Sequence, residues 1–397
     1  MKAADVERAH QVPPRQGRLR VAVVYGTRPE AIKMAPVVRA LRRRPDRFQV
    51  TVCATGQHRE LLEQVHGLFG LRPDVDLDLM RPGQTLNELA AHTLLALDRP
   101  LRELRPDWLL VQGDTTTAAS AALAAFHLRL RVGHVEAGLR TGDLQQPFPE
   151  EANRRIVDSL AEALFAPTIR AARQLSRAGC RLDQIFLTGN TGIDALHWVC
   201  GDLPEEPAAD EVLVTLHRRE SFGRPLRGMF SALRQLAQRF PGWQWIFPVH
   251  PNPEIAPAAR ELLRGLPNFH ICQPLSYREL VGRLRRARMV LTDSGGIQEE
   301  APAFGKPVLV LRDATERPEA VEAGVARLVG TAPRRIVAET SRLLTDALAY
   351  DQMARTANPY GDGHAAERIA SILAGEPFVP FGGVLAQDAL LPALLVP

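Results

Sequence analysis

Val21-Ala-Val-Val-Tyr25, followed at once by Gly26-Thr-Arg-Pro-Glu-Ala-Ile-Lys-Met-Ala-Pro36, decides the fold class. An unbroken β-branched run reads as a strand buried on both faces, and the glycine turn, early proline and helical spacing after it read as a helix. That is one βα unit, and the pattern recurs outward from it. Further strands are expected at Val50–Ala54, Trp108–Gln112, Val132–Glu136, Leu164–Ala166 and Ile185–Thr188. A second series follows at Val212–Leu216, Gln244–Val249, Phe269–Cys272, Met289–Thr292 and Val308–Leu311. Strands alternating with helical segments predict an α/β protein with parallel sheets, in two sets. Between the sets, the polar and Pro-rich stretch from Gly189 to Asp210 reads as a linker or long surface loop, which puts the boundary near residue 190.

A chain of 397 residues suits two hydrophobic cores, and its 45% hydrophobic and 24% charged residues are ordinary for a globular protein. The net charge is +4, carried almost wholly by arginine, since Lys2, Lys33 and Lys306 are the three lysines. Arg42-Arg43-Arg44 and Arg285-Arg286 end segments of helical spacing, where cations suit the helix dipole, so no nucleic-acid partner is expected. Cys53, Cys180, Cys200 and Cys272 form neither a disulfide framework nor a zinc-ligand spacing. The first 19 residues lack an apolar signal core and no later apolar run approaches ~20 residues, so no membrane partner and a cytoplasmic protein are expected.

In open α/β sheets ligands gather where the strands stop, so the loops there carry the functional reading. After the first strand, Arg28 stands beside a helix N-terminus, an arrangement that serves an anion or an ordinary turn equally well. After Met289–Thr292, the run Asp293-Ser-Gly-Gly places Ser294, Gly295 and Gly296 at a helix start able to cradle a diphosphate, with Glu300 a turn beyond. Neither GxGxxG nor GxxxxGK[ST] occurs in these loops, so no dinucleotide or P-loop nucleotide is indicated. Asp114, Glu136 and Glu150 stand at strand or loop ends of the first half. Asp114 and Glu150 also fit helix capping or first-turn roles, whereas Glu136 ends an apolar strand just ahead of Ala137-Gly138. His217 and His250 end strands of the second half, and Arg317 lies in a further strand-end loop.

Taken together, these segments closely resemble the non-hydrolysing UDP-N-acetylglucosamine 2-epimerase family. The resemblance runs in order from about residue 20 through Tyr25-Gly-Thr-Arg-Pro-Glu, Gly56-Gln-His-Arg, Gly113-Asp-Thr-Thr-Thr, His134-Val-Glu-Ala-Gly-Leu-Arg and Pro149-Glu-Glu-Ala-Asn-Arg. It continues through His217-Arg-Arg-Glu-Ser, Pro248-Val-His-Pro-Asn-Pro, Thr292-Asp-Ser-Gly-Gly-Ile-Gln-Glu-Glu and Thr315-Glu-Arg-Pro-Glu to Asn358-Pro-Tyr-Gly-Asp-Gly. It implies two Rossmann-like domains facing across a cleft, the glycosyltransferase-B type fold, in a homodimer. The implied domains are 20–189 and 190–363, with a helix at 364–375 returning to the first. Residues 1–19, expected to be disordered, and the tail 376–397 flank them.

By the same resemblance Arg28, His217, Ser294, Gly295, Gly296, Glu300 and Arg317 would hold UDP, and Asp114, Glu136, Glu150 and His217 would form the catalytic group. Gln57, His58 and His250 match positions of a second, allosteric substrate site. The implied chemistry eliminates UDP to a 2-acetamidoglucal and adds it back with C2 inverted, with no cofactor and no metal. Leu280 and Leu216 depart from the family pattern away from the reacting groups. A UDP-sugar glycosyltransferase of the same fold, a hydrolysing relative, a silent sensor, or an epimerase for a modified sugar are the rival readings; the trio Asp114, Glu136 and Glu150 argues against a transferase or a sensor.

Overall fold

The computed structural model describes residues 17–56, 59–81, 83–204, 206–218, 221–249, 252, 254–354 and 358–383. Two compact units divide the chain: one runs to Ala195 and resumes at Tyr360, and the other is Leu196–Pro359.

The first unit holds a seven-stranded sheet in the order β3-β2-β1-β4-β5-β6-β7. Its strands are β1 (Leu19–Tyr25), β2 (Phe48–Ala54), β3 (Val75–Asp76), β4 (Trp108–Gln112), β5 (Arg131–Val135), β6 (Ala163–Ala166) and β7 (Ile185–Leu187), and every pair is parallel. The second unit holds six parallel strands in the order β10-β9-β8-β11-β12-β13. These are β8 (Glu211–Thr215), β9 (Gln244–Pro248), β10 (Phe269–Cys272), β11 (Met289–Thr292), β12 (Val308–Val310) and β13 (Ala326–Leu328).

Each sheet therefore starts near its middle, grows one way for three strands, and then crosses back to grow the other way. The reversal falls between β1 and β4 in one unit and between β8 and β11 in the other, the place at the strand ends where open α/β sheets bind their ligands. The sequence dictates this burial: Trp108-Leu-Leu-Val-Gln is buried at every position and Val21–Tyr25 throughout, as strands covered by helices on both faces must be.

Three elements differ from expectation. The stretch read as a linker contains a helix, Thr191–Gly201, whose Ile193, Ala195, Leu196 and Val199 are buried. Gly189 and Gly192 mask its start, since Asn190 Oδ1 accepts the Gly192 N–H (2.8 Å) in a turn just where the helix begins. Strands β3 and β13 were unforeseen, because two or three residues are too few to show a period.

The last described helix, Ala365–Ala374, packs on the Arg28–Arg42 helix within the first unit. Arg44 fastens it there by donating to Ser371 (3.1 Å), Glu376 (3.0 Å) and Glu367 (3.0 Å). Residues 1–16 of the N-terminal extension and 384–397 of the tail lie outside the described residues, while Leu19 already belongs to β1. Among the described residues no helix is long and apolar enough to cross a membrane.

Candidate active site

In the first unit the functional residues collect where β1, β4 and β5 end. Gly26 turns the chain out of β1, and a Cβ there would stand 2.4 Å from Thr55 Oγ1 and 2.9 Å from Thr117 Oγ1, so only glycine fits. The buried Glu30 then ties the loop down, accepting the N–H groups of Gly26 (3.1 Å) and Thr27 (2.7 Å) and the hydroxyls of Thr27 (2.7 Å) and Thr115 (2.7 Å). Burial pushes the Glu30 carboxyl above its ordinary range despite these four donors. Its bond to Thr115 joins the loop after β1 to the loop after β4. Arg28, half-buried, opens the helix between them.

Gln112 of β4 pairs in register with Val135 of β5, so Asp114 and Glu136 leave the same end of neighbouring strands. Asp114 accepts a two-pronged bond from Arg154, Nε at 3.0 Å and Nη2 at 2.7 Å, while its carbonyl accepts from Asn153 (2.9 Å). Both donors come from the helix Glu150–Leu160, whose first residue is the third carboxylate of the trio. Arg154 also donates to Glu151 (2.8 Å), which is fully buried and accepts from Thr141 (3.0 Å) and Arg155. Of the adjacent glutamates, Glu151 is thus committed to structure. Glu150 differs: its Oε2 is buried and has no hydrogen-bond partner among the described residues.

Glu136 has φ +65°, in the left-handed region that side chains avoid, and its carboxylate is bound by Lys33 Nζ and by Gln112 Nε2 (3.2 Å). Behind it, the buried His134 bridges Asp158 (2.6 Å) and the Gly113 carbonyl (2.8 Å), and Arg140 completes the network on Asp158 (2.5 Å). Opposed by burial, the charges of His134 and Arg140 still hold the Asp158 carboxyl below its usual range.

In the second unit the polar residues gather at the ends of β8, β11 and β12. Asp293, buried just past β11, accepts the backbone N–H of His217 (2.9 Å) and Arg218 (2.9 Å), and its other oxygen lies 2.9 Å from His217 Nδ1. One carboxylate thereby shapes the turn after β8 and sets the imidazole. Ser294 caps the short helix Gly295–Glu300 with extended backbone, its side chain making no capping bond. Gly295 is buried, and a Cβ there would approach Glu316 Oε1 to 2.9 Å; at Gly296 there is open space.

Glu316 binds Arg218 (3.0 Å) and Arg312 (2.6 Å), and Arg317 pairs with Glu299. Burial would raise the Glu316 carboxyl, but Arg317, Arg312 and Arg218 overcome it and bring it down to about 2. Gln298 accepts from Thr315 (2.7 Å), and Tyr277 donates to Glu300 (3.1 Å), at the end of the short helix. Arginines thus ring a glycine-built helix start.

Asp114 and Glu136 come together in the first unit beside the helix that Glu150 opens; His217, Ser294, Gly295, Gly296, Glu300 and Arg317 collect in the second. Gln57, His58 and His250 lie outside the described residues. Sequence reasoning gave no role to Lys33, Arg154, His134, Asp293, Glu299 or Glu316. Lys33 carried a signal, as one of three lysines in an arginine-rich chain.

Two parallel, doubly wound units with their polar residues at the switch points define an α/β protein of the glycosyltransferase-B fold class. A family model described as UDP-N-acetylglucosamine 2-epimerase matches residues 39–374. The UDP-N-acetylglucosamine 2-epimerase of Yersinia pestis is 50% identical over 370 residues, covering 89% of this chain and 98% of that one. Among solved structures, the UDP-GlcNAc 2-epimerase of Neisseria meningitidis, bound to UDP-GlcNAc, aligns with TM-score 0.84 at 40% identity over 89% of this chain and 99% of that chain. A glycosyltransferase of kitacinnamycin shares the fold alone, with TM-score 0.63 at 15% identity, covering 92% of this chain and 100% of its own. The chain belongs to the UDP-N-acetylglucosamine 2-epimerase family, a family of isomerases.

Proposed function

We propose that the protein interconverts UDP-N-acetylglucosamine and UDP-N-acetylmannosamine by inverting C2, without hydrolysis. The observation that carries this reading is the carboxylate group of the first unit: Asp114 and Glu136 at neighbouring strand ends, and Glu150 opening the helix that binds Asp114. A transferase has no need of several acid/base groups beside the sugar, whereas inversion at carbon removes a proton from one face and returns one to the other.

The C2 hydrogen is a weak acid, so its loss is coupled to departure of UDP. The C2–H electrons become the C1=C2 bond of a 2-acetamidoglucal, and UDP leaves with the C1–O pair. Re-addition of UDP with protonation at the opposite face of C2 gives the epimer. Arg28, His217, Ser294, Gly295, Gly296, Glu300 and Arg317 hold the UDP part, and the arginines and helix start offset the charge that builds on the leaving oxygen. Asp114, Glu136 and Glu150 serve as the acid/base group, with His217, set by Asp293, at the diphosphate.

The same reading places the enzyme in the cytoplasm, where it supplies N-acetylmannosamine units for cell-surface polysaccharide, and assigns Gln57, His58 and His250 to an allosteric substrate site. It also makes the protein a homodimer. Leu95, Phe126 and Ile156 support that assembly, being exposed at 75%, 55% and 45% on three helices packed side by side in the first unit. The test is incubation of the purified protein with UDP-N-acetylglucosamine and, separately, with UDP-N-acetylmannosamine. Both mixtures should converge on one ratio of the two; release of free N-acetylmannosamine with UDP would instead mark a hydrolase.

A further inference from the structure

Tyr277 is a buried titratable side chain to which the reaction, as described, gives no work. It opens the helix Tyr277–Arg286, which follows β10, and is 8% exposed. A reciprocal pair fastens that helix start: Ser276 accepts the N–H of Glu279 (3.3 Å), and Glu279 accepts the N–H (2.8 Å) and the hydroxyl (2.7 Å) of Ser276. The ring is thus held at a fixed point, and its hydroxyl donates to Glu300 Oε1 (3.1 Å). Burial, and then the charge of Glu300, push the Tyr277 hydroxyl well above its ordinary value, so it keeps its proton and serves the carboxylate only as a donor.

Glu300 is half-buried, and its neighbours on the short helix are engaged elsewhere. Gln298 accepts from Thr315 (2.7 Å), and Glu299 binds Arg317. Gly296 stands four residues before Glu300, so the two share one face of the helix and lie about 6 Å apart along its axis. A Cβ on Gly296 would meet nothing within 4 Å, so that face borders open space. A carboxylate at the edge of such space accepts hydrogen bonds and donates none, which suits a pair of neighbouring hydroxyls and repels a phosphate. In a uridine nucleotide the ribose supplies that pair.

We propose that Tyr277 is a positioning residue that holds the Glu300 carboxylate to accept from the ribose 2′- and 3′-hydroxyls, so that the pair makes the site select ribonucleotides. This rests on the UDP-holding part of the proposed function. With one oxygen on a fixed donor, the carboxylate has given up rotamer freedom before the nucleotide arrives, and less is lost on binding. A nucleotide without the two hydroxyls displaces water from Glu300 and offers no donor in return, which costs affinity.

The test is calorimetric titration of the full chain with UDP and with 2′,3′-dideoxy-UDP. Parent, Tyr277→Phe, Glu300→Gln and the double variant are compared, after circular dichroism and thermal melts verify folding. The parent should bind UDP at least about tenfold more tightly than the dideoxy form. Tyr277→Phe should weaken UDP by about three- to tenfold and the dideoxy form by less than about twofold, so the preference shrinks. In the Glu300→Gln background, Tyr277→Phe should change UDP affinity by less than about twofold. An equal loss for both ligands, or the same loss with and without Glu300, would overturn the proposal, because Tyr277 would then contribute packing alone. Should Tyr277→Phe fail to fold, Glu300→Gln alone still bears on it, since an undiminished preference for UDP in that variant would overturn the ribose contact. A parent that binds both ligands equally would overturn this inference and leave the epimerase reading standing. A parent that binds neither would remove the UDP reading itself, and this inference with it.

Discussion

Glu136 and Glu150 are both glutamates at the mouth of one sheet, yet their surroundings separate them. Glu136 is held by Lys33 and Gln112, while the buried Oε2 of Glu150 meets no donor among the described residues. Environments that treat two carboxylates so differently are how a site divides acid from base. Glu136→Gln keeps the shape and removes the carboxylate charge; if Glu136 belongs to the proposed acid/base group, kcat should drop by about 10²–10⁴-fold, with the melting temperature within a few degrees of the parent. Steady-state kinetics beside a thermal melt check this.

Asp293 is the counterpart in the second unit. Asp293→Ala strips the acceptor from two backbone N–H groups, and should cost about 1–3 kcal/mol of stability in denaturant titrations. UDP binding, measured by calorimetry, should weaken about tenfold or more as the His217 turn loosens, each tenfold being about 1.4 kcal/mol. The candidate carboxylates and arginines were legible in the sequence because strand ends announce themselves. Their partners were not: Lys33 and Glu136 are 103 positions apart, and no local pattern records which cation a carboxylate meets.

Among the elements, Trp108–Gln112 and Met289–Thr292 lie where the apolar runs put them, because strands buried on both faces need unbroken runs, and Phe269–Cys272, an edge strand with His270 exposed, also falls at its expected place. The helix Thr191–Gly201 was hidden, since its glycines and the preceding Asn190 are turn residues in any local reading. That helix bears Asp194, which accepts the N–H groups of Ala366 (2.8 Å) and Ala365 (3.2 Å) at the start of the last helix. Burial pushes the Asp194 carboxyl from 3.8 up to about 6 against those bonds. The folded protein therefore keeps a proton that the unfolded chain has lost over this range. Its contribution to stability is present below about pH 4 and is lost as pH rises through 6, by on the order of 3 kcal/mol. Asp194→Asn should remove that slope, so melts of parent and variant from pH 4 to 6 should diverge steadily and run parallel above 6.5.

At the scale of the whole molecule, each unit repeats one topological plan and each places its polar residues at the strand ends beside the reversal of strand order. That plan makes the division of labour intelligible: the second unit has arginines around a glycine-built helix start, fit for a diphosphate, and the first has carboxylates, fit for moving protons. The alternation of apolar runs and helical segments was enough to foresee the parallel sheets. It could not foresee the strand order, which depends on how non-adjacent strands pair. In the proposed reaction C2 is inverted through loss and return of its proton, with UDP departing in between. Proton NMR of the protein with UDP-N-acetylglucosamine in D2O tests it most directly. UDP-N-acetylmannosamine should appear carrying deuterium at C2, and Glu136→Gln should abolish its appearance. Product retaining protium at C2, or a substrate pool unchanged while the protein is folded and binds UDP, would contradict it.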